Sequence, residues 1–104
     1  MSKPAAYRRL IERQPELMEA YERFGSAAHE AGALSDRERR LVKLALAIAT
    51  HSEGATHSHV RAALAAGIEA DDLRHVAYLA ATTAGFPTTM RGLTWIDDIA
   101  DAPG

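Results

Sequence analysis

The 104-residue chain contains no cysteine. This absence excludes disulfide bonds, thiol nucleophiles and thiol-based redox catalysis, because each of them needs a sulfur atom that the chain does not have. Aromatic residues make up only 6% of the sequence, whereas 47% is hydrophobic, and much of that fraction is alanine. Alanine buries little area, so a monomer would have a thin core. The composition therefore favours close helix packing and oligomer contacts.

The sequence also lacks a strong charge imbalance and a long apolar run. The net charge is −2, which gives no reason to expect a nucleic-acid or an anionic membrane partner. No segment approaches the roughly 20 apolar residues of a membrane span. The opening MSKPAAYRRL has no apolar core of the signal-peptide type. We therefore expect a cytoplasmic protein with no nucleic-acid and no membrane partner.

No stretch alternates apolar and polar residues in the manner of a β-strand. Apolar residues instead recur at three- and four-residue steps, which predicts an all-α fold of five or six helices. The length fits one domain, residues 1–104. One point stays open, namely whether residues 4–31 form one helix or two. Pro15 suits the first turn of a second helix, where its missing N–H costs nothing.

The segment around which the chain is organised begins with residues 41–49. These are apolar on almost every side of a helix, which is typical of a helix packed in the middle of a helical domain. Ser35 and Glu38 have the spacing of a capping box and predict the start of this helix. The helix is expected to end near Thr50 or His51.

A second, alanine-rich helix follows. Ser52 is predicted to cap it, Glu53 lies in its first turn, and Gly67 is predicted to end it. A stripe of mostly small residues is expected to face inward and to allow close helix packing: Ala55, His59, Ala62, Ala63 and Ala66, widened by Val60 and Leu64.

The histidines invite a metal hypothesis that helix geometry argues against. His57 and His59 are two residues apart and point to roughly opposite sides of a helix. His51 and His59 are separated by about 12 Å along the axis, too far for one ion with bonds of about 2 Å. His75 is a fourth candidate metal ligand. We therefore expect no metal ion and no cofactor.

His59 differs from the other histidines because it lies on the alanine stripe. Two interpretations remain open. In the first, it is a core histidine held by one partner, such as the hydroxyl of Thr82 or Thr83. In the second, it is a general acid/base, since an imidazole that titrates near neutrality is well suited to moving protons.

Four segments follow one another in a distinctive order: LSDRERRLVKLALAIA, EGATHSHVRAALAAGI, DDLRHVAYLAATTAGFP and LTWIDDI. Together they resemble the carboxymuconolactone decarboxylase family, whose superfamily includes the alkylhydroperoxidase D-like proteins. The resemblance covers about residues 15–100. It implies an alkylhydroperoxidase D-like helical subunit that assembles with itself into homotrimers or homohexamers.

The residues of the peroxidase branch transfer only in part. That branch has a CxxC motif followed four residues later by a histidine, and its cysteine positions correspond here to Ser52 and Ala55. The upstream glutamate of that branch falls near Arg40, where the charge is reversed. Only His59 matches. Because neither Ser52 nor Ala55 supplies a thiolate, thiol peroxidase activity is excluded.

The decarboxylase branch typically places a carboxylate four residues before the histidine, where this chain has Ala55. Glu53 is the nearest acid, but it lies about 120° round the helix from His59. The resemblance implies a cofactor-free decarboxylase (a lyase) acting on a small organic acid or lactone. His59 and Glu53 are then the candidate catalytic residues, and Arg40 or Lys43 is a candidate for holding a substrate carboxylate.

The alternative is a catalytically altered family member that serves as a binding or structural oligomer. The surroundings of His59 separate the two hypotheses. An apolar cavity beside His59 with a second ionisable group in reach favours the enzyme. Tight packing of His59 against a backbone partner favours the alternative.

Overall fold

The computed structural model describes residues 4–103, and in this part of the chain it contains six α-helices and no strand. The all-α prediction is confirmed. None of these helices combines the length and the apolar character needed to cross a membrane. The helices are α1 (Ala5–Arg13), α2 (Pro15–His29), α3 (Asp36–Ala49), α4 (Glu53–Ala65), α5 (Ala70–Leu79) and α6 (Phe86–Ala100), with a 3-10 turn (Ala80–Thr82) after α5.

The helices fall into two compact units, Met1–Ala33 and Leu34–Gly104. The first unit holds α1 and α2, so residues 4–31 form two helices, and Pro15 lies in the first turn of the second one. The Tyr7 hydroxyl donates to the Glu22 carboxylate at 3.3 Å and connects the two helices. The prediction of a single domain over residues 1–104 stays a prediction.

The second unit has a continuous apolar core to which α3, α4, α5 and α6 all contribute. Helix α4 packs against both α3 and α6, and α5 packs against α6 and α3. Four of the largest core side chains are almost completely shielded from solvent, which fixes the faces that the helices turn to one another. The core residues are Leu44, Ile48, Val60, Ala63, Ile68, Leu73, Ala77 and Ile96.

The predicted capping box starts α3. The Glu38 N–H donates to Ser35 Oγ at 3.1 Å, and the Ser35 N–H donates to Glu38 Oε1 at 2.7 Å. These two hydrogen bonds satisfy backbone donors that a helix start leaves open. The pKa of the Glu38 carboxyl is lowered, because hydrogen bonds from the Ser35 backbone and side chain stabilise its charged form.

We expect Ser35→Ala to destabilise the protein by about 1 kcal/mol, the usual cost of losing an N-cap serine. Chemical denaturation at a fixed protein concentration measures this change. Ser58→Ala is the matched control, because Ser58 is an exposed serine inside α4, and its removal should leave the midpoint almost unchanged. An unmoved midpoint for Ser35→Ala would show that the cap does not stabilise the folded chain.

A tight connection joins α3 to α4 and sets the position of the histidine-bearing helix. The Ser52 N–H donates to the Ala47 carbonyl and the His51 N–H to the Ile48 carbonyl, which closes α3 as in a Schellman motif. His51 has a φ of 58°, in the left-handed region where glycine is usual. Its ring Nε2 lies 3.2 Å from Thr88 Oγ of α6. The predicted end of α3 is therefore confirmed.

Helix α4 begins and ends where the sequence indicates. Ser52 Oγ accepts a hydrogen bond from the Ala55 N–H at 3.3 Å. At the other end, Gly67 has a φ of 89°, and the Ile68 N–H donates to the Ala63 carbonyl at 3.0 Å. Each end of α4 is therefore held by a hydrogen bond to a flanking residue, Ser52 at the start and Ile68 at the end.

Helix α3 contacts α4, α5 and α6, as expected of a helix in the middle of the domain, but its apolar side chains are not buried on all sides. Leu44, Ala47 and Ile48 are buried, but Val42 is 46% exposed and Leu46 is 60% exposed. The physical reason is that α4, α5 and α6 cover only part of the circumference of α3. An apolar strip on α3 therefore remains open to solvent.

Candidate functional site

The buried face of α4 is not the alanine stripe predicted from the sequence. Val60 and Thr56 point into the core together with Ala63, and Thr56 satisfies its hydroxyl by donating to the Ser52 carbonyl at 2.7 Å. Of the predicted stripe, only Ala63 and Val60, which was expected at its margin, are buried. The larger Val60 side chain gains more from burial than a methyl group does, and this turns the helix. The rest of the stripe is half-buried or exposed: Ala55, His59, Ala62 and Ala66.

His59 therefore lies at the edge of the α3–α4 contact. Partial burial lowers the pKa of its imidazole below the ordinary value of 6.5, and the positive charges of Lys43 and Arg40 lower it further. No hydrogen bond contributes to this shift. The Thr83 hydroxyl, one of the partners expected for His59, donates to the Leu79 carbonyl instead. The lowered pKa favours the neutral form of the His59 imidazole.

Arg40 and Lys43 come from one side of α3, and they make the surroundings of His59 cationic. Arg40 is partly buried, and its Nε donates to the Asp36 carboxylate at 2.8 Å. This ion pair holds Arg40 close to the helix. A neutral imidazole beside two cations is suited to an anionic ligand, whose charge would offset the positive charges.

Glu53, the second candidate catalytic residue, lies on a different side of α4. It belongs to a group with His57 and Asp98, in which one ligand-type atom of each residue lies within 4.8 Å of the others. His57 Nε2 and Asp98 Oδ2 are 2.9 Å apart. His57 thus faces α6, whereas the pKa of His59 is lowered by charges on α3. This confirms that the two histidines point to opposite sides of α4. A catalytic role for Glu53 stays a prediction.

Sequence reasoning missed Asp98 and the group that it completes. The available signal was the four-residue spacing of Glu53 and His57, which places both side chains on one face of a helix. Nothing in the sequence pattern indicates that Asp98 of α6 meets that face. The contact depends on how α4 and α6 pack, which is a tertiary property.

An apolar groove of about 420 Å³ lies between α3 and α5. The Arg37–Asp72 ion pair, at 2.7 Å, lies at its edge. His59 does not line this groove. Ionisable groups, Lys43 and Arg40, therefore act on His59, but this apolar cavity does not lie beside it. The apolar lining consists of Leu41, Val42, Ala45, Ile48, Ala49, Val76, Leu79, Ala80 and Ala84.

Comparison with known proteins gives one clear result. The sequence model of the carboxymuconolactone decarboxylase family matches residues 15–98, which is most of the chain. Comparisons with curated proteins and with solved structures gave no significant match. The matched segment contains all of α2 to α5 and most of α6, including every residue discussed around His59. The chain belongs to the carboxymuconolactone decarboxylase family.

Proposed function

We propose that this family member is a decarboxylase that acts on a small carboxylated organic acid or lactone without a redox cofactor, with His59 as its acid/base. The observation that carries this proposal is the state of His59. Its imidazole is half-buried, and its pKa is lowered by burial and by the charges of Lys43 and Arg40. Such an imidazole takes up a proton readily when an anion arrives beside it.

Substrate binding and proton uptake are coupled in this arrangement. A carboxylate placed between His59 and the two basic side chains of α3 offsets their positive charges. The offset raises the pKa of His59, so the bound state favours the imidazolium. The enzyme thereby acquires its catalytic proton only when the anionic substrate is in place.

The proposed reaction breaks one C–C bond of the substrate and forms one C–H bond. The C–C bond to the substrate carboxylate breaks and CO₂ leaves. The electron pair of that bond delocalises onto the substrate carbonyl, which forms an enolate. The His59 imidazolium then donates its proton to the carbon of that enolate, and the neutral imidazole regains a proton from water. The step needs neither an oxidant nor a reductant, which agrees with a chain that has no cysteine.

The direct experiment measures CO₂ release by the wild-type protein from a panel of carboxylated lactones and β-keto acids, with EDTA present. Each compound is paired with its non-carboxylated analogue as a control for lactone hydrolysis. We expect saturable CO₂ release from at least one carboxylated compound. No release above the protein-free rate from any member of the panel would contradict the proposal.

We also propose that the protein is a homotrimer or homohexamer. Large apolar side chains of the second unit are exposed on three helices, and two of them, Val42 and Leu79, line the open groove between α3 and α5. A second copy of the chain is the occupant that both the composition and the family resemblance favour. The exposed side chains are Val42, Leu46, Tyr78, Leu79, Phe86 and Met90.

Light scattering at micromolar concentration is expected to give a multiple of the 11.2 kDa monomer mass. Leu46→Glu places a charge on the exposed strip of α3 and should dissociate the assembly, because an unpaired charge in an apolar contact is costly. Ser58→Glu introduces the same charge at an exposed position of α4 as a control. A wild-type mass near that of the monomer would contradict the proposed assembly.

A further inference from the structure

We propose that Glu53, His57 and Asp98 form a binding site for one divalent transition-metal ion of the Zn²⁺ type. The site is separate from the surroundings of His59, because its three residues occupy the α4–α6 side of α4. One ligand-type atom of each residue lies within 4.8 Å of the other two. His57 Nε2 and Asp98 Oδ2 are already 2.9 Å apart.

The distances fit a metal ion after small side-chain rotations. With metal–ligand bonds of about 2.0–2.2 Å, ligand atoms around zinc are separated by about 3.3–3.6 Å in a tetrahedral arrangement. To reach this range the 2.9 Å pair opens slightly, and any separation close to the 4.8 Å limit becomes shorter. Rotation about the side-chain bonds of Glu53 supplies such a movement without any shift of α4.

The backbone positions of the three residues are well held. Glu53 and His57 lie one helical turn apart, and Thr56 between them is completely buried and bonded to the Ser52 carbonyl. Asp98 follows the completely buried Ile96 by two residues on α6. A site whose ligands come from rigid helices loses little conformational entropy on binding metal.

The donor set selects the kind of ion. Two carboxylates and one neutral imidazole carry a charge of −2, which a divalent cation offsets. An imidazole ligand favours zinc, cobalt or nickel over magnesium or calcium, which prefer oxygen ligands alone. The Asp98 side chain is 47% exposed, so the ion has a direct path from solvent. Three protein ligands leave one position of a tetrahedral ion for water or a substrate group.

Isothermal titration of the untagged, EDTA-treated full chain with Zn²⁺ tests the proposal. We expect one Zn²⁺ per chain in the wild type, with no competition from excess Mg²⁺. His57→Ala and Asp98→Asn should each weaken zinc binding by more than about tenfold, since even the loss of an outer partner of a ligand has that effect. His75→Ala, which removes an exposed histidine of α5, should bind zinc as the wild type does.

Thermal denaturation gives a second readout. Zn²⁺ should raise the unfolding temperature of the wild type, because the ion binds only when α4 and α6 are folded together. The increase should disappear in Asp98→Asn, whose exposed, isosteric side chain leaves the fold intact. Absence of zinc binding by the wild type would overturn the proposal. Equal weakening by His75→Ala and His57→Ala would also overturn it, since that result marks non-specific binding to surface histidines.

Discussion

Replacing His59 with asparagine is expected to lower the rate of CO₂ release by about a hundredfold or more, the usual effect of removing a general acid/base. The asparagine amide is close in size to the imidazole but does not transfer a proton at neutral pH. Because His59 is only half-buried, a side chain of similar size should leave folding and assembly unchanged. Single-turnover assays on the active compound of the panel measure the rate directly.

The matched control is His29→Asn, which changes a histidine of α2 in the first unit. This variant should retain the wild-type rate. If His59→Asn instead keeps the rate and binds the ligand normally while losing about 1–3 kcal/mol of stability, His59 is a structural residue. That outcome would favour the alternative of a catalytically altered binding or structural oligomer.

Gly92→Ala is expected to destabilise the protein by about 1–2 kcal/mol. A Cβ atom at this position of α6 would lie 2.9 Å from Ile48 Cγ2 and 3.5 Å from Ala77 Cβ. Ile48 is only 1% exposed, and its β-branched side chain has few alternative rotamers. Overpacking at this position destabilises the protein by up to about 3 kcal/mol. The higher helix propensity of alanine offsets about 1 kcal/mol of that loss.

Gly25→Ala provides the opposite expectation in the same assay. Gly25 lies inside α2, and a Cβ atom there meets nothing within 4 Å. Alanine should therefore stabilise the protein by up to about 1 kcal/mol through helix propensity alone. Chemical denaturation of both variants at one protein concentration gives the comparison. A stabilising Gly92→Ala would show that α6 does not pack closely on α3.

Helix ends were predictable from the sequence because they depend on local chemistry. The Ser35–Glu38 capping box, the Ser52 cap and Gly67 each act through hydrogen bonds within a few residues. The buried face of a helix depends on its neighbours, and here the prediction failed. On α4 the alanine stripe predicts the packing face, but of its small residues only Ala63 is buried, and Val60 and Thr56 fill the core beside it.

The candidate site likewise combines one residue that the sequence identifies with contacts that depend on how the helices pack. His59 was identifiable because a single residue and the family resemblance point to it. Its cationic surroundings depend on α3 lying beside α4, which places the charges of Lys43 and Arg40 near the ring. The pairing of His57 with Asp98 joins residues 41 positions apart in sequence. No local pattern contains that information.

The most direct test of the account is an NMR titration of the His59 ring, because the proposed mechanism depends on an imidazole held neutral beside cations. We expect a pKa below the ordinary value of 6.5 for His59 in the wild type. We also expect a higher pKa in Lys43→Gln, which removes one of the repelling charges, and a rise in the wild-type pKa when a carboxylated lactone binds. A wild-type pKa at or above 6.5 that does not respond to Lys43→Gln would contradict it.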